Sequence, residues 1–277
     1  MTDDNVPIGN PSPPPALART RVNHWCKGSL VGLRSQSMHS RTLIFDVPAW
    51  PGHLPGQHVD IRVTAPDGYS AQRSYSLADV STPNRVAITV DLLPHGEVSP
   101  DLADVMELGD ALDVRGPIGK WFVWEPGDPN VGPGPVLLIA GGSGVVPLMT
   151  MLRARKAADD QTPTMLVYSL RGSRDLMYQR ELEEMASMDA AQGGDDVAVD
   201  VRIVYTRKAS DGHPRPPSHM SAEDVRPPPS WPVPQAARVY VCGPSGFVDH
   251  ATRLLHDLDY PDDRIRTERF GPTGVTR

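Results

Sequence analysis

Cysteine is nearly missing from this chain: its 277 residues include two, Cys26 and Cys242, far apart in sequence. Two separated thiols make no disulfide framework and no C-x-x-C pair. They also fall short of the four thiolates that ordinarily hold an iron–sulfur cluster. Positive charge is not in excess, with 27 Lys and Arg against 34 Asp and Glu and a net charge of −7. Bulk attraction to nucleic acid or to an anionic membrane is therefore not expected. No apolar run reaches the roughly 18 residues of a spanning helix, so no membrane span is expected. The first 20 residues lack the basic and apolar regions of a secretory signal and are rich in proline. They read as a disordered tail of a cytoplasmic protein. What remains is ordinary for a globular protein, 39% hydrophobic and 22% charged, and long enough for two domains.

The first half reads as β structure. Segments 39–50, 57–63, 73–79, 85–93 and 111–124 are short and carry β-branched and aromatic residues, with Gly and Pro clusters between several of them. That spacing predicts a small antiparallel barrel or sandwich. After the proline- and glycine-rich segment 125–135 the pattern changes. Residues 136–140 form a continuous apolar strand, as in a sheet covered on both faces. Helix-like stretches at 148–157, 176–188 and 247–258 alternate with strand-like stretches at 164–170, 199–207, 238–243 and 264–270. The alternation predicts a doubly wound parallel sheet. The expected division is a tail over 1–20, a barrel domain over 21–127 and an α/β domain over 128–277. An irregular proline-rich loop over 208–236, with a short helix near 222–225, interrupts the second domain.

Four motifs carry chemistry. Gly141-Gly142-Ser143-Gly144-Val145-Val146-Pro147 follows a strand and precedes a helix. Its glycines permit a tight turn and close approach of a phosphate to backbone N–H groups; a plain strand–helix turn is the competing reading. Cys242-Gly243-Pro244-Ser245-Gly246 ends another strand, and two such turns in one sheet suggest a shared nucleotide cleft. A free cysteine in that position is equally a small buried hydrophobe. In Arg73-Ser74-Tyr75-Ser76, an arginine suited to a pyrophosphate precedes a tyrosine suited to an aromatic ring and a serine suited to a ring nitrogen. Alone, that tetrapeptide is an ordinary strand. In Gly96-Glu97-Val98-Ser99-Pro100, Ser99 suits an N-cap and Pro100 a first helical position, giving either a phosphate-facing helix start or a capped surface helix.

Taken in order, these motifs resemble those of the ferredoxin–NADP⁺ reductase family across about residues 22–270. The resemblance implies an N-terminal antiparallel Greek-key flavin barrel and a C-terminal pyridine-nucleotide domain. It implies that Arg73 holds the FAD pyrophosphate, that Tyr75 packs on the flavin and that Ser76 bonds near flavin N5, with Ser74 within the same motif. Gly96, Val98 and Ser99 supply a second phosphate contact. Gly142, Ser143 and Gly144 line the nucleotide phosphate path, and Cys242, Gly243 and Pro244 sit beside the nicotinamide. Glu268 and Phe270 resemble the family's C-terminal acidic–aromatic element, Glu268 as proton donor or orienter and Phe270 as a shield over one flavin face. Arg171, Arg174, Thr206 and Arg207 are placed to meet a 2′-phosphate, which favours NADPH over NADH. The full dinucleotide motif favours FAD over FMN.

The implied activity is oxidation of NADPH or NADH through bound FAD. No C-x₄-C-x₂-C run is present, so the electrons are expected to pass to a separate haem or iron–sulfur protein or to a small molecule. A flavin reductase releasing reduced flavin is the alternative within the enzyme class. A non-catalytic flavin-binding interaction module is the alternative outside it, disfavoured by two intact nucleotide turns.

Overall fold

A computed structural model describes residues 24–64, 68–92, 102, 106–128, 134–187, 199–229, 231 and 236–270. The expected tail over 1–20 and the motif holding Gly96, Val98 and Ser99 lie outside these residues.

The first half forms one antiparallel sheet of β1 (Cys26–Ser35), β2 (Ser40–Asp46), β3 (His58–Thr64), β4 (Ser70–Ser76), β5 (Arg85–Asp91) and β6 (Ala111–Ile118), in the order β4-β3-β6-β1-β2-β5. Strands β4 and β5 are its edges, and an isolated bridge between Leu77 and Ile88 draws them together. Alternation on the strands feeds one core: Leu43, Phe45, Val59, Ile61, Val86, Ile88 and Val90 are all fully buried in a single cluster. Strand β1 escaped the sequence reading. Its polar, half-exposed pattern includes Val31 at 44% and Leu33 at 41% exposure, so its apolar residues do not all point inward. Gly28 lets it lie close against Val47 and Val114.

The second half forms a wholly parallel sheet of β7 (Val136–Gly141), β8 (Thr164–Gly172), β9 (Val199–Lys208), β10 (Arg238–Pro244) and β11 (Ile265–Phe270), in the order β11-β10-β7-β8-β9. Successive side chains enter opposite layers. Leu138, Ala140, Tyr240 and Cys242 join one core cluster, and Leu137, Ile139, Val239 and Val241 another. Helices α1 (Val145–Ala157) and α2 (Gln179–Ser187) cover the first layer, and α3 (Ala222–Val225) and α4 (Ser245–His256) the second. Helix α1 begins three residues before the expected 148, because Pro147 falls in its first turn, where a missing N–H costs nothing. Similarly, α4 begins at Ser245, two residues before the expected start. The proline-rich connection after β9 is tied down. The Ser218 N–H donates to the Tyr205 carbonyl at 2.9 Å, the Arg202 guanidinium donates to the Asp224 and Arg226 carbonyls, and Met220 and Trp231 are buried beside α4.

The two sheets share a core. Ala78 and Ala87 from the barrel, with Phe122 and Trp124 just after it, pack in the same cluster as Val145, Met149, Leu152 and Tyr178. Among the described residues, no helix is long and apolar enough to cross a membrane.

Candidate functional site

Strand order reverses between β7 and β10, and both glycine turns leave the sheet there, at the strands' C-terminal ends. This is where open parallel sheets bind ligands. The turns touch: a Cβ on Gly144 would stand 2.1 Å from the Cys242 carbonyl oxygen, so only glycine allows α1 to start against the end of β10. Gly142 has φ +55° and open space where a side chain would be. Among the described residues no side chain caps the start of α1, and its first turn carries no acidic residue. The helix start therefore presents an electropositive backbone edge suited to an anion. The Phe247 ring fills the gap between the turns, within 2.6–2.9 Å of a notional Cβ on Gly141 and 2.8 Å of one on Gly243. Phe247 was not singled out from the sequence. Two side-chain-free turns followed by an aromatic residue in the next helix's first turn were the available signal.

Cys242 is fully buried in the core, and burial pushes its thiol pKa up. Its thiol is therefore no thiolate nucleophile, and its carbonyl is the atom against which Gly144 packs.

Arg73 and Tyr75 lie on the face of edge strand β4 opposite to that of Ser74, as strand periodicity requires. Tyr75 packs against the barrel core, and burial raises its hydroxyl pKa to about 12, keeping it neutral. The Arg73 guanidinium donates to the Gln72 carbonyl at 2.7 Å. Ser74 turns outward, its hydroxyl donating to Asp60 at 2.6 Å, and Asp60 is also gripped by Arg115. The Ser74 side chain is thus on the opposite face of β4 from Arg73 and Tyr75.

Ser76 is 5% exposed and points into the seam between the sheets. Its hydroxyl donates to Glu268 Oε1 at 3.4 Å, joining residues 192 apart in sequence. Burial raises the Glu268 carboxyl to about 7, against the opposing pull of the Ser76 hydroxyl. Glu268 lies opposite Cys242 and Phe270 opposite Pro244 in the β10–β11 register, so the C-terminal pair sits beside the second glycine turn. Phe270 packs against the shared core.

The next two residues are also held by the parallel-sheet half. The Thr150 hydroxyl donates to the Leu77 carbonyl at 2.7 Å, and Arg153 donates to the Ala78 carbonyl while pairing with Glu181. Farther along the seam, Tyr178 Oη meets Thr89 Oγ1 at 2.5 Å, and Thr89 meets Thr42 at 2.7 Å.

Arg171 and Arg207 are exposed near the neighbouring ends of β8 and β9. The Thr206 hydroxyl donates to the Leu170 carbonyl at 3.3 Å. Arg171 has a carboxylate neighbour in Asp91, whose pKa is raised by burial and by Asp175 and lowered by His39 and Arg171. Arg174 meets the β1–β2 hairpin, its carbonyl accepting from the Met38 N–H.

Comparison with known proteins agrees with this layout. The family described as "Oxidoreductase FAD-binding domain" matches residues 29–123, and that described as "Oxidoreductase NAD-binding domain" matches residues 138–253. A flavohemoprotein of Bordetella pertussis is 30% identical over 83% of this chain and 56% of its own length. The glycine betaine monooxygenase reductase subunit of Pseudomonas aeruginosa is 30% identical over 84% of this chain and 61% of its own length. The chain thus spans little more than half the length of these curated relatives. The solved structure of a ferredoxin NADP⁺ reductase from Neisseria gonorrhoeae, with bound FAD and NADP, shares the fold at TM-score 0.68 and 16% identity, covering 88% of this chain and 98% of its own. The two matched domains follow one another as the two sheets do, and the chain belongs to the oxidoreductases that join an FAD-binding domain to an NAD-binding domain, with the fold of that ferredoxin NADP⁺ reductase.

Proposed function

We propose that this chain oxidises NADPH or NADH through bound FAD and passes the electrons to a separate acceptor. The observation that carries the reading is the Ser76–Glu268 contact, in which the flavin motif of one sheet meets the C-terminal element of the other beside both glycine turns. FAD, when bound, supplies the redox chemistry: it takes two electrons from reduced nicotinamide and can release them singly.

The chain's own residues bind and orient. Arg73 holds the pyrophosphate, Tyr75 covers the flavin and ribityl region, and the β4 backbone at Ser74 lies along the cofactor. Gly96, Val98 and Ser99 make the second phosphate contact. Gly142, Ser143 and Gly144 hold the nucleotide phosphates at the start of α1, and Cys242, Gly243 and Pro244 form the backbone wall beside the nicotinamide. Arg171 and Arg207 bias the site towards a 2′-phosphate and hence NADPH. Ser76 orients the reacting edge of the flavin. Glu268, with a pKa of about 7, holds or yields a proton at its carboxylate near neutral pH. Phe270 covers one face of the site and excludes water.

A haem or iron–sulfur protein is the proposed acceptor. The names of two relatives, a flavohemoprotein and a monooxygenase reductase subunit, support it. Anaerobic titration with NADPH and with NADH tests the reading. Bleaching of the yellow flavin absorbance is expected, at lower concentration with NADPH. Bleaching by neither overturns the reading. Retention of FAD through gel filtration is expected and separates this activity from release of reduced flavin.

A further inference from the structure

Three consecutive residues of the barrel, Ser76, Leu77 and Ala78, are each held by the parallel-sheet half: Ser76 by Glu268 on β11, Leu77 by Thr150 and Ala78 by Arg153, both on α1. The glycine turn of the nucleotide cleft forms the start of this same helix. One rigid rod thus touches the nucleotide cradle at its first turn and the flavin segment at its second and third. At 1.5 Å per residue, Thr150 stands about 9 Å along the axis from Gly144.

We propose that α1 acts as a spacer between the two cofactors, with Thr150 and Arg153 as positioning residues that fix the Ser76–Ala78 segment relative to the nucleotide turn. This rests on the electron-transfer reading above. Thr150 is wholly buried. Its hydroxyl has two acceptors in reach, Leu77 O at 2.7 Å and Val146 O at 3.3 Å, and its one proton goes to the nearer. The bond to Val146 stays within the helix and orders nothing else, whereas the bond to Leu77 crosses the seam. Arg153 is fixed in turn: Glu181 accepts from its Nε at 2.7 Å and from its Nη2 at 2.6 Å, and its guanidinium lies 4.9 Å over the Tyr178 ring. A two-point grip of this kind orients the donor to the Ala78 carbonyl. Neither residue lies in the nucleotide turn or in the Arg73–Ser76 motif, so each acts through the backbone it holds.

The test uses FAD-loaded protein and three variants. Thr150→Val keeps the side-chain shape and removes the hydroxyl, Thr150→Ser restores it, and Arg153→Met removes the second grip. Two readouts are taken: the rate of flavin reduction at saturating nucleotide against nucleotide affinity, and amide hydrogen exchange over residues 76–80. For Thr150→Val the expected result is flavin reduction about tenfold slower, unchanged nucleotide affinity and faster exchange at 76–80. Thr150→Ser is expected to return both readouts to wild type, and Arg153→Met to move them in the same direction as Thr150→Val. Unchanged rate and unchanged exchange in Thr150→Val and Arg153→Met overturn the proposal. So does a loss confined to nucleotide affinity. If neither NADPH nor NADH reduces the wild type, the electron-transfer reading falls instead, and exchange at 76–80 alone decides whether α1 holds the segment.

Discussion

Glu268 and His53 respond to pH in opposite senses. Burial raises the Glu268 carboxyl from 4.5 to about 7, so the folded protein favours its neutral form. Its contribution to stability is complete below about pH 4.5 and is lost as pH rises through about 7. Glu268→Gln, which stays neutral, is therefore expected to gain melting temperature relative to wild type between pH 5 and pH 8 in scanning calorimetry. A pH-independent difference would refute this. His53 is the converse. Trp50 Nε1 donates to its Nδ1 at 3.1 Å, which leaves Nε2–H to donate to the Asp79 carbonyl at 2.8 Å. Burial lowers its pKa below 6.5, so its stabilisation is present above that pH and lost as pH falls through the folded value. Replacing it by Asn is expected to cost about 1–3 kcal/mol at pH 8 and less at pH 5 in urea unfolding. An equal cost at both would count against the neutral, doubly bonded ring.

At the scale of elements, the start of α1 is the tightest joint. A methyl on Gly144 meets the Cys242 carbonyl, so Gly144→Ala must push β10 and α1 apart. Such overpacking costs about 1–3 kcal/mol, and because the strain falls on the nucleotide turn, flavin reduction by NAD(P)H should suffer more than FAD retention. Reduction kinetics beside an FAD-release assay checks this ordering. The same joint marks how far the sequence could be read. The central strands of the parallel sheet were legible because burial on both faces demands unbroken apolar runs such as Val136–Gly141. The glycine turns were legible because their chemistry is local. Strand β1 was not, because its half-exposed pattern carries too few inward apolar residues to stand out, although it pairs on both sides. Thr150 and Arg153 left no trace in composition or spacing. Their partners are backbone carbonyls more than 70 positions earlier, and a carbonyl looks the same in every residue. For Ser74 the motif was legible, but the partner of its side chain, Asp60 on the neighbouring strand, was not.

For the molecule as a whole, the seam between the sheets is continuous with the core. Ala78, Ala87, Phe122 and Trp124 pack in one cluster with the residues of α1 and α2. Tyr178, buried and held at φ +58°, sends its hydroxyl across to Thr89. The two sheets are therefore expected to melt in a single transition. Calorimetric and van't Hoff enthalpies should agree, and two resolved transitions would show that the seam yields first. Tyr178→Phe should lower stability by about 1 kcal/mol while preserving the single transition. A continuous seam also limits how the gene can be rearranged. Cut between Trp124 and Val136, the two fragments would each bare a greasy flank shaped for the other, so co-expression should reassemble them where either alone precipitates. A chimera that borrows its barrel from a distant relative inherits a flank moulded to a different helix. Such a graft will take only if the donor's counterparts of Ala78 and Ala87 are equally small, or if α1 travels with it.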